Sequence, residues 1–463
     1  MRFFDSVILL SIICVGFALG HKSFKDVDER SLKIKKSEDK LKVKSQAIQR
    51  HFYEGNKADF QSSKNISVIA FGSCSKHTHR QPLWKNILAQ KPDLWIWLGD
   101  AVYADTRLMP FVWIVASLPE MQHRYKLQKD HPEYQKFLRS NIPIIGVWDD
   151  HDYGSDFGNK YFKYKYRAQD IFLDFLDEPL DSLRRRRQGT FASYKFGEGN
   201  RSVKIILLDV RSNAEPSHPC DLLGEHQWQW LEDQLTNDVT QITMIGSGMQ
   251  IVSDIPFIEK WQRCVSSLDR LVWLTQKRDH VFFLSGDVHF SEVNCMNATS
   301  SGYPLYEVTS SSMTHSCSSS LLPYGICDWT LKNVVASCFR VTNVVTEINY
   351  GLIKIDWNAK PVQIALEIHG ENEKLSSIAI PLSDLERKIT PASCPVTVEQ
   401  PNWYWKRVFW ASVIILGVVA GLAALWLSII SCRWFVKEVL KDIDVKIKNG
   451  MVKLRKKNKV KHD

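Results

Sequence analysis

Four apolar runs in this sequence end in residues able to do chemistry. Residues 66–71 lead to Gly72-Ser73-Cys74, and residues 94–99 to Asp100 and Tyr103. Residues 143–148 lead to Asp149-Asp150-His151-Asp152, and residues 280–284 to Asp287 and His289. Thiol, phenol, imidazole and carboxylate are the side chains that hold metal ions or move protons. If the runs are strands that neighbour one another in one parallel sheet, their carboxyl ends bring these groups to a single crevice, where open α/β sheets bind ligands. So many acidic groups in one place repel one another unless cations offset the charge. Two ions about 3.5–4 Å apart can share a carboxylate, hold both ends of an in-line displacement and lower the pKa of a bridging water. Asp100, the earliest to leave the central strand, is the natural shared ligand. The donors are mixed in hardness: Cys74 and Tyr103 suit a ferric or other transition ion, Asp150 and Asp287 a hard divalent ion such as calcium or magnesium. Taken singly, Cys74 reads as a half-cystine, Tyr103 as packing and His289 as a core histidine. The convergence is what points to a metal centre.

The elements that must position these residues follow from the apolar pattern. Residues 94–99 carry no polar side chain, the mark of a strand covered on both faces. Leu83, Trp84, Ile87 and Leu88 recur at helical spacing between it and the preceding strand, a strand–helix–strand unit that implies parallel pairing. Residues 105–140 read as a helical insertion. Residues 203–208 form a further strand ending at Asp209-Val210-Arg211, and the Arg184-Arg185-Arg186-Arg187 run before it reads as a solvated loop. An amphipathic helix is expected over 225–235, strands over 242–245 and 305–309, and a hairpin from 352–357 and 362–368 around Asn358-Ala359-Lys360.

The ends of the chain carry other signals. Residues 1–20 hold a lone Arg2, an apolar run and Ala18-Leu19-Gly20, the composition of a secretory signal peptide cleaved before His21. Residues 21–64 are a charged, flexible lead-in, 65–391 the folded domain and 392–407 a juxtamembrane linker. Residues 408–430 are uncharged and of spanning length, with Trp403, Tyr404, Trp405 and Trp410 near one end and Trp434 beyond the other, as interfacial belts require. The basic tail, 431–463, faces the cytoplasm by the positive-inside rule, which makes the chain a single-pass type I membrane protein. Lys459 and Lys461 resemble a retrieval signal for the endoplasmic reticulum, with the plasma membrane as the other destination.

Of the formal charge of +9, residues 433–463 account for +7 and residues 21–64 for +5, which leaves about −3 for residues 65–432. A near-neutral folded body excludes a general nucleic-acid binder. Asn65, Asn200 and Asn297 begin glycosylation sequons. Cys220, Cys264, Cys295, Cys317, Cys327, Cys338 and Cys394 fit partial pairing in an oxidising compartment, and if Cys74 serves a metal this odd number leaves at least one free or paired between chains.

With Leu208-Asp209-Val210-Arg211 and Ser285-Gly286-Asp287-Val288-His289-Phe290 added to the motifs above, residues 66–370 resemble the alkaline phosphatase D (PhoD-like) family of calcineurin-like metallophosphoesterases. The resemblance implies a four-layered α/β/β/α sandwich and hydrolysis of phosphomonoesters or phosphodiesters. It also implies a binuclear centre of ferric iron and calcium, with other divalent ions as alternatives. Carried over by residue, Cys74, Tyr103 and His289 serve the iron, Asp100 bridges, and Asp150 and Asp287 hold the second ion. His151 protonates the leaving oxygen and Arg211 orders the site, while a metal-bound hydroxide attacks phosphorus directly. The membrane span departs from a typical secreted member. Two other readings remain: a catalytically silent receptor or adaptor on this fold, and a phosphodiesterase of phospholipids or lipid anchors.

Overall fold

The apolar runs become strands of two mixed sheets. The computed structural model describes residues 60–109, 112–237, 239–298, 302–319, 325–396 and 403–459; the expected signal peptide, most of the lead-in and Lys461 lie outside them. In chain order the strands are β1 (Phe60–Ser62), β2 (Val68–Gly72), β3 (Leu94–Leu98), β4 (Thr106–Met109), β5 (Val112–Ile114), β6 (Ile144–Val147) and β7 (Ala192–Phe196). They continue with β8 (Val203–Leu208), β9 (Ile242–Ser247), β10 (Val281–Ser285), β11 (Glu292–Ala298), β12 (Tyr303–Thr309), β13 (Tyr350–Asp356), β14 (Gln363–His369) and β15 (Lys374–Pro381). One sheet runs β15-β14-β13-β2-β3-β6 and the other β1-β7-β8-β9-β10-β12-β11. β2, β3 and β6 are mutually parallel, as are β8, β9, β10 and β12. All of this belongs to one unit, residues 50–406.

The chemistry-bearing strand ends are therefore divided between two sheets rather than lined along one. Cys74, Asp100 and Asp150 follow β2, β3 and β6 of the first, whereas Asp287 and His289 follow β10 of the second. The sheets meet face to face: a Cβ on Gly246 of β9 would lie 2.8 Å from Leu98 Cδ2 of β3. A strand covered on both faces has one face for this contact and one for a helix. On the helix side of β3, Trp95 and Trp97 pack with centroids 4.8 and 5.5 Å from Trp84, which belongs to helix Leu83–Ala89. Phe137 lies 4.7 Å from Trp84. Aromatic pairs of this geometry contribute about 0.5–1.5 kcal/mol each beyond simple burial, so an aromatic cluster anchors the strand that delivers Asp100.

Two local readings are corrected. Residues 105–140 are not wholly helical: the ribbon β4–β5 precedes helices Leu118–Asp130 and Pro132–Leu138. Nor is the arginine run a solvated loop. Arg184, in the short helical turn Leu183–Arg185, and Arg187, two residues beyond it, are 1% and 2% exposed. Arg184 Nε donates to Thr190 O at 2.8 Å and its Nη2 to Gly146 O, so the guanidinium ties the end of β6 to the approach to β7. Charge density alone gave no hint of these buried carbonyl acceptors.

Disulfides join Cys220 to Cys264, Cys295 to Cys394 and Cys317 to Cys327, which leaves Cys74 buried and Cys338 and Cys432 exposed as free thiols among the described residues. Asn65, Asn200 and Asn297 are all exposed. The helix Trp403–Lys459, most of which belongs to the other unit, contains a segment, Tyr404–Phe435, that is long and apolar enough to cross a membrane, with none of its most apolar window buried. Together with three disulfides, it points to a secreted or membrane protein.

Candidate metal centre

Three of the four strands, β2, β3 and β10, turn into the site through left-handed residues, whereas β6 runs through extended Asp149 into a helical turn. Cys74, Asp100, Asp287 and His289 have φ of 59°, 49°, 77° and 59°, a region few residues other than glycine adopt. Such backbone persists only where the surroundings over-determine it, and it gathers at functional sites. Gly99, at φ 84°, lets β3 turn beneath β6: a Cβ there would lie 2.3 Å from Asp149 Cβ. Ser75 N donates to Asp100 O at 2.8 Å and Gly99 N to Val147 O at 2.9 Å, which fixes the three strand ends in register. Asp152, at the end of the one-turn helix Asp150–Tyr153, accepts from Ala101 N, Val102 N and Tyr125 OH and so holds the Asp100 loop against the Asp150 loop.

These turns bring the donors together in three overlapping groups: Cys74–Asp100–His289, Asp100–Asp150–His151 and Asp149–Asp150–Asp287. Within each group the ligand-type atoms lie within 4.8 Å of one another. Asp100 belongs to the first two groups and Asp150 to the last two. Cys74 Sγ is 3.5 Å from Asp100 Oδ2 and 3.1 Å from Ser311 Oγ. The Tyr103 hydroxyl is 2.8 Å from His289 Nε2 and 3.0 Å from His315 Nε2. Its ring lies 4.2 Å from that of His151, whose Nδ1 pairs with Asp105 Oδ1 at 2.8 Å. Arg211 sits behind this array, its Nε on Asp149 Oδ1, its Nη1 2.7 Å from Glu259 Oε2 and its Nη2 4.0 Å from Asp150 Oδ1.

The electrostatics of the bare site are unfavourable. Burial, reinforced by the neighbouring aspartates, pushes the Asp287 carboxyl well up; burial does the same to Asp100 and Asp149 even though His151 and Arg211 respectively oppose it. Asp150 alone is lowered: burial resists its charge, but His151, Arg211 and two backbone N–H groups outweigh it. Burial raises the Cys74 thiol and the Tyr103 phenol and lowers His289 to about 3. His151 goes the other way, because Asp150, Asp100 and Asp105 overcome its burial. One arginine and one histidine do not balance so many acids, so full ionisation calls for added positive charge.

The sequence profile of the PhoD-like phosphatases matches residues 69–364, the whole span that carries these strand ends. The chain belongs to the PhoD-like phosphatase family. A solved structure described as PhoD is 16% identical, superposes with a TM-score of 0.51 and covers 75% of this chain and 76% of its own, which fixes the likeness at the level of the fold. A dimetal phosphatase from Danio rerio is 11% identical over 69% of this chain and all of its own, with a TM-score of 0.37. No curated protein matches the chain.

The residues of this PhoD-like phosphatase fit resident cations. Asp100 Oδ1 and Asp149 Oδ2 are buried and accept no hydrogen bond, an arrangement costly for a carboxylate unless an ion takes the lone pairs. Thiol, imidazole and carboxylate make a donor set that transition and hard divalent ions both use.

Several neighbours were not singled out in the sequence. Asp149 stands in one of the motifs and Asp105 at the head of the stretch read as a helical insertion, and neither has a pattern that separates a ligand from an orienting acid. Glu259 and His315 come from irregular loops whose approach depends on the second sheet. Only a strand order placing β10 opposite β3 would have revealed them.

Proposed function

We propose that the chain is a membrane-anchored, metal-dependent phosphoesterase that hydrolyses phosphomonoesters or phosphodiesters. The observation that carries this reading is the double membership of Asp100, which groups with Cys74 and His289 on one side and with Asp150 and His151 on the other while one of its oxygens accepts no hydrogen bond. In this reading Cys74, Tyr103 and His289 hold one ion, Asp150 and Asp287 the other, and Asp100 both. Ferric iron with calcium is the favoured pair, with other divalent ions as alternatives. When bound, such ions offset charge on the phosphoryl oxygens and lower the pKa of a coordinated water. The chain's own groups do the rest. Arg211 Nη2, buried and without a hydrogen-bond partner, is a donor available to a phosphoryl oxygen. His151, held through Nδ1 by Asp105, presents Nε2 to protonate the leaving oxygen. The two facing sheets and their outer helices are read as the α/β/β/α sandwich of this enzyme class.

Residues 1–20 are assigned as the signal peptide and 65–391 as the catalytic domain, lumenal or extracellular in a type I topology. The span is placed at 408–430, sugar at Asn65, Asn200 and Asn297, and the retrieval signal at Lys459 and Lys461. Asp100→Asn tests the core of the proposal. It should abolish turnover of a chromogenic phosphoester and lower bound metal, as read by elemental analysis, while the protein still melts cooperatively. Full turnover in that variant refutes it.

A further inference from the structure

The β4–β5 ribbon borders the candidate site and carries apolar side chains that it does not bury. Leu108, Val112, Ile114 and Val115 are 61%, 41%, 51% and 48% exposed. Trp113 on the same ribbon turns inward, its ring 4.5 Å from that of His151 and 6.3 Å from that of Tyr103. β5 thus alternates, with Val112 and Ile114 on the open face and Trp113 against the site. Single exposed aliphatics are ordinary, but this cluster stands on a ribbon that pairs with no third strand among the described residues. Phe157, also exposed, is tied to the site through its backbone N–H, which donates to Asp150 Oδ2 at 2.9 Å. Two cations stand beside the aromatic rings of this region, one of them, Arg107, on β4 itself. Arg107 is 5.9 Å from the Trp113 ring and Lys76 Nζ 5.0 Å from the Tyr103 ring.

We propose that this ribbon enters the interfacial zone of a lipid bilayer and delivers the phosphate ester of a membrane lipid to the site, an inference that rests on the phosphoesterase reading above. The order of chemistry is that of an interface: aliphatic side chains outermost for the acyl region, Arg107 and Lys76 at the depth of lipid phosphates, and the candidate metal centre behind them. An apolar protein face would cover the aliphatic side chains but bring no anion to Arg107 and Lys76, which a lipid phosphate supplies together with acyl chains. The chain also carries an exposed apolar helix of spanning length, so a bilayer is the surface it is equipped to meet. In the reaction a water oxygen bonds to phosphorus, the ester P–O bond breaks, and the released alcohol takes the proton. No oxidant or reductant is needed.

The test uses full-length protein with vesicles of phosphatidylcholine containing either phosphatidylglycerol or phosphatidate, and a soluble chromogenic phosphodiester in parallel. The paired substitution Val112→Asp with Ile114→Asp should lower turnover of lipid in one or both vesicles by about tenfold or more, and leave the soluble diester within about twofold of the parent. Ile114→Trp, which keeps the face apolar, should retain lipid turnover. The inference is overturned if the aspartate pair leaves lipid turnover intact. It is equally overturned if an enzyme active on the soluble diester ignores both vesicles, or if the pair merely converts a dimer to a monomer and both activities fall together. Failure of the parent on every ester would instead remove the phosphoesterase reading itself.

Discussion

Asp105→Asn isolates the orienting role of a residue that touches no ligand group directly. The Asp105 carboxylate accepts two hydrogen bonds, from His151 Nδ1 at Oδ1 (2.8 Å) and from the Asp156 backbone N–H at Oδ2 (2.9 Å). An asparagine of the same shape has one carbonyl oxygen for these two donors, so its NH₂ must face the other. One buried donor is then left without an acceptor, at a cost of roughly 1–3 kcal/mol. The flanking rings of Tyr103 and Trp113 hold the imidazole plane, so the change falls on its hydrogen bonding rather than on its placement. If that cost is felt where His151 protonates the leaving oxygen, kcat falls roughly 5- to 150-fold. The melting temperature should move by only a few degrees. The assay is steady-state turnover of a chromogenic diester with an alkoxide-like leaving group and, in parallel, one whose leaving group needs no proton; the loss should be confined to the first. Equal losses on both esters, or kcat within about twofold of the parent on the first, would refute the assignment of His151 as acid and Asp105 as its positioning residue.

Three further outcomes follow from the packing. Gly99→Ala combines a left-handed φ with a Cβ 2.3 Å from Asp149 Cβ, so it should lose about 2–5 kcal/mol in chemical denaturation and displace Asp149. Arg340→Met strands Glu292, whose partner at 2.7 Å is as completely buried as Glu292 itself; a loss of roughly 3–5 kcal/mol is expected in the same measurement. Glu367 is held down to about 2, because His369, Lys354 and Lys374 outweigh the burial that opposes its charge. A depressed carboxylate stabilises the fold above its unfolded pKa. Its contribution should therefore fade as pH falls from about 5 towards 2, by on the order of 2 kcal/mol after allowance for lysines partly in solvent, and Glu367→Gln should lack that component.

What could be read from the chain was set by periodicity. Residues 203–208 read as a strand and form β8 with the same bounds; β3, β10 and the β13–β14 hairpin shift by a residue or two. Each has an uninterrupted or alternating apolar pattern, which is local information. The division of the strand ends between two sheets was not local: β2, β3 and β10 share one texture, and nothing in a doubly covered strand says which sheet it joins. The site residues were visible because each stands one to five residues past such a strand. His315 and Glu259 were not, because irregular loops bring them in. Arg184 read as solvated because a guanidinium buried on carbonyls has the same sequence as one in water.

The Cys295–Cys394 bond joins β11, an outer strand of its sheet, to a point nine residues before the helix Trp403–Lys459 begins. A pull transmitted along the chain from that helix reaches the folded body at Cys295 and bypasses everything from β12 to β15. Three strands of the opposite sheet and the loop bearing His315 are thereby spared mechanical load while the bond is oxidised. Reduction would transfer the load to Lys388 and Arg387, bonded to Gly302 O and to Asp279, and only beyond them to β15, the free edge of the sheet that carries Cys74 and Asp100.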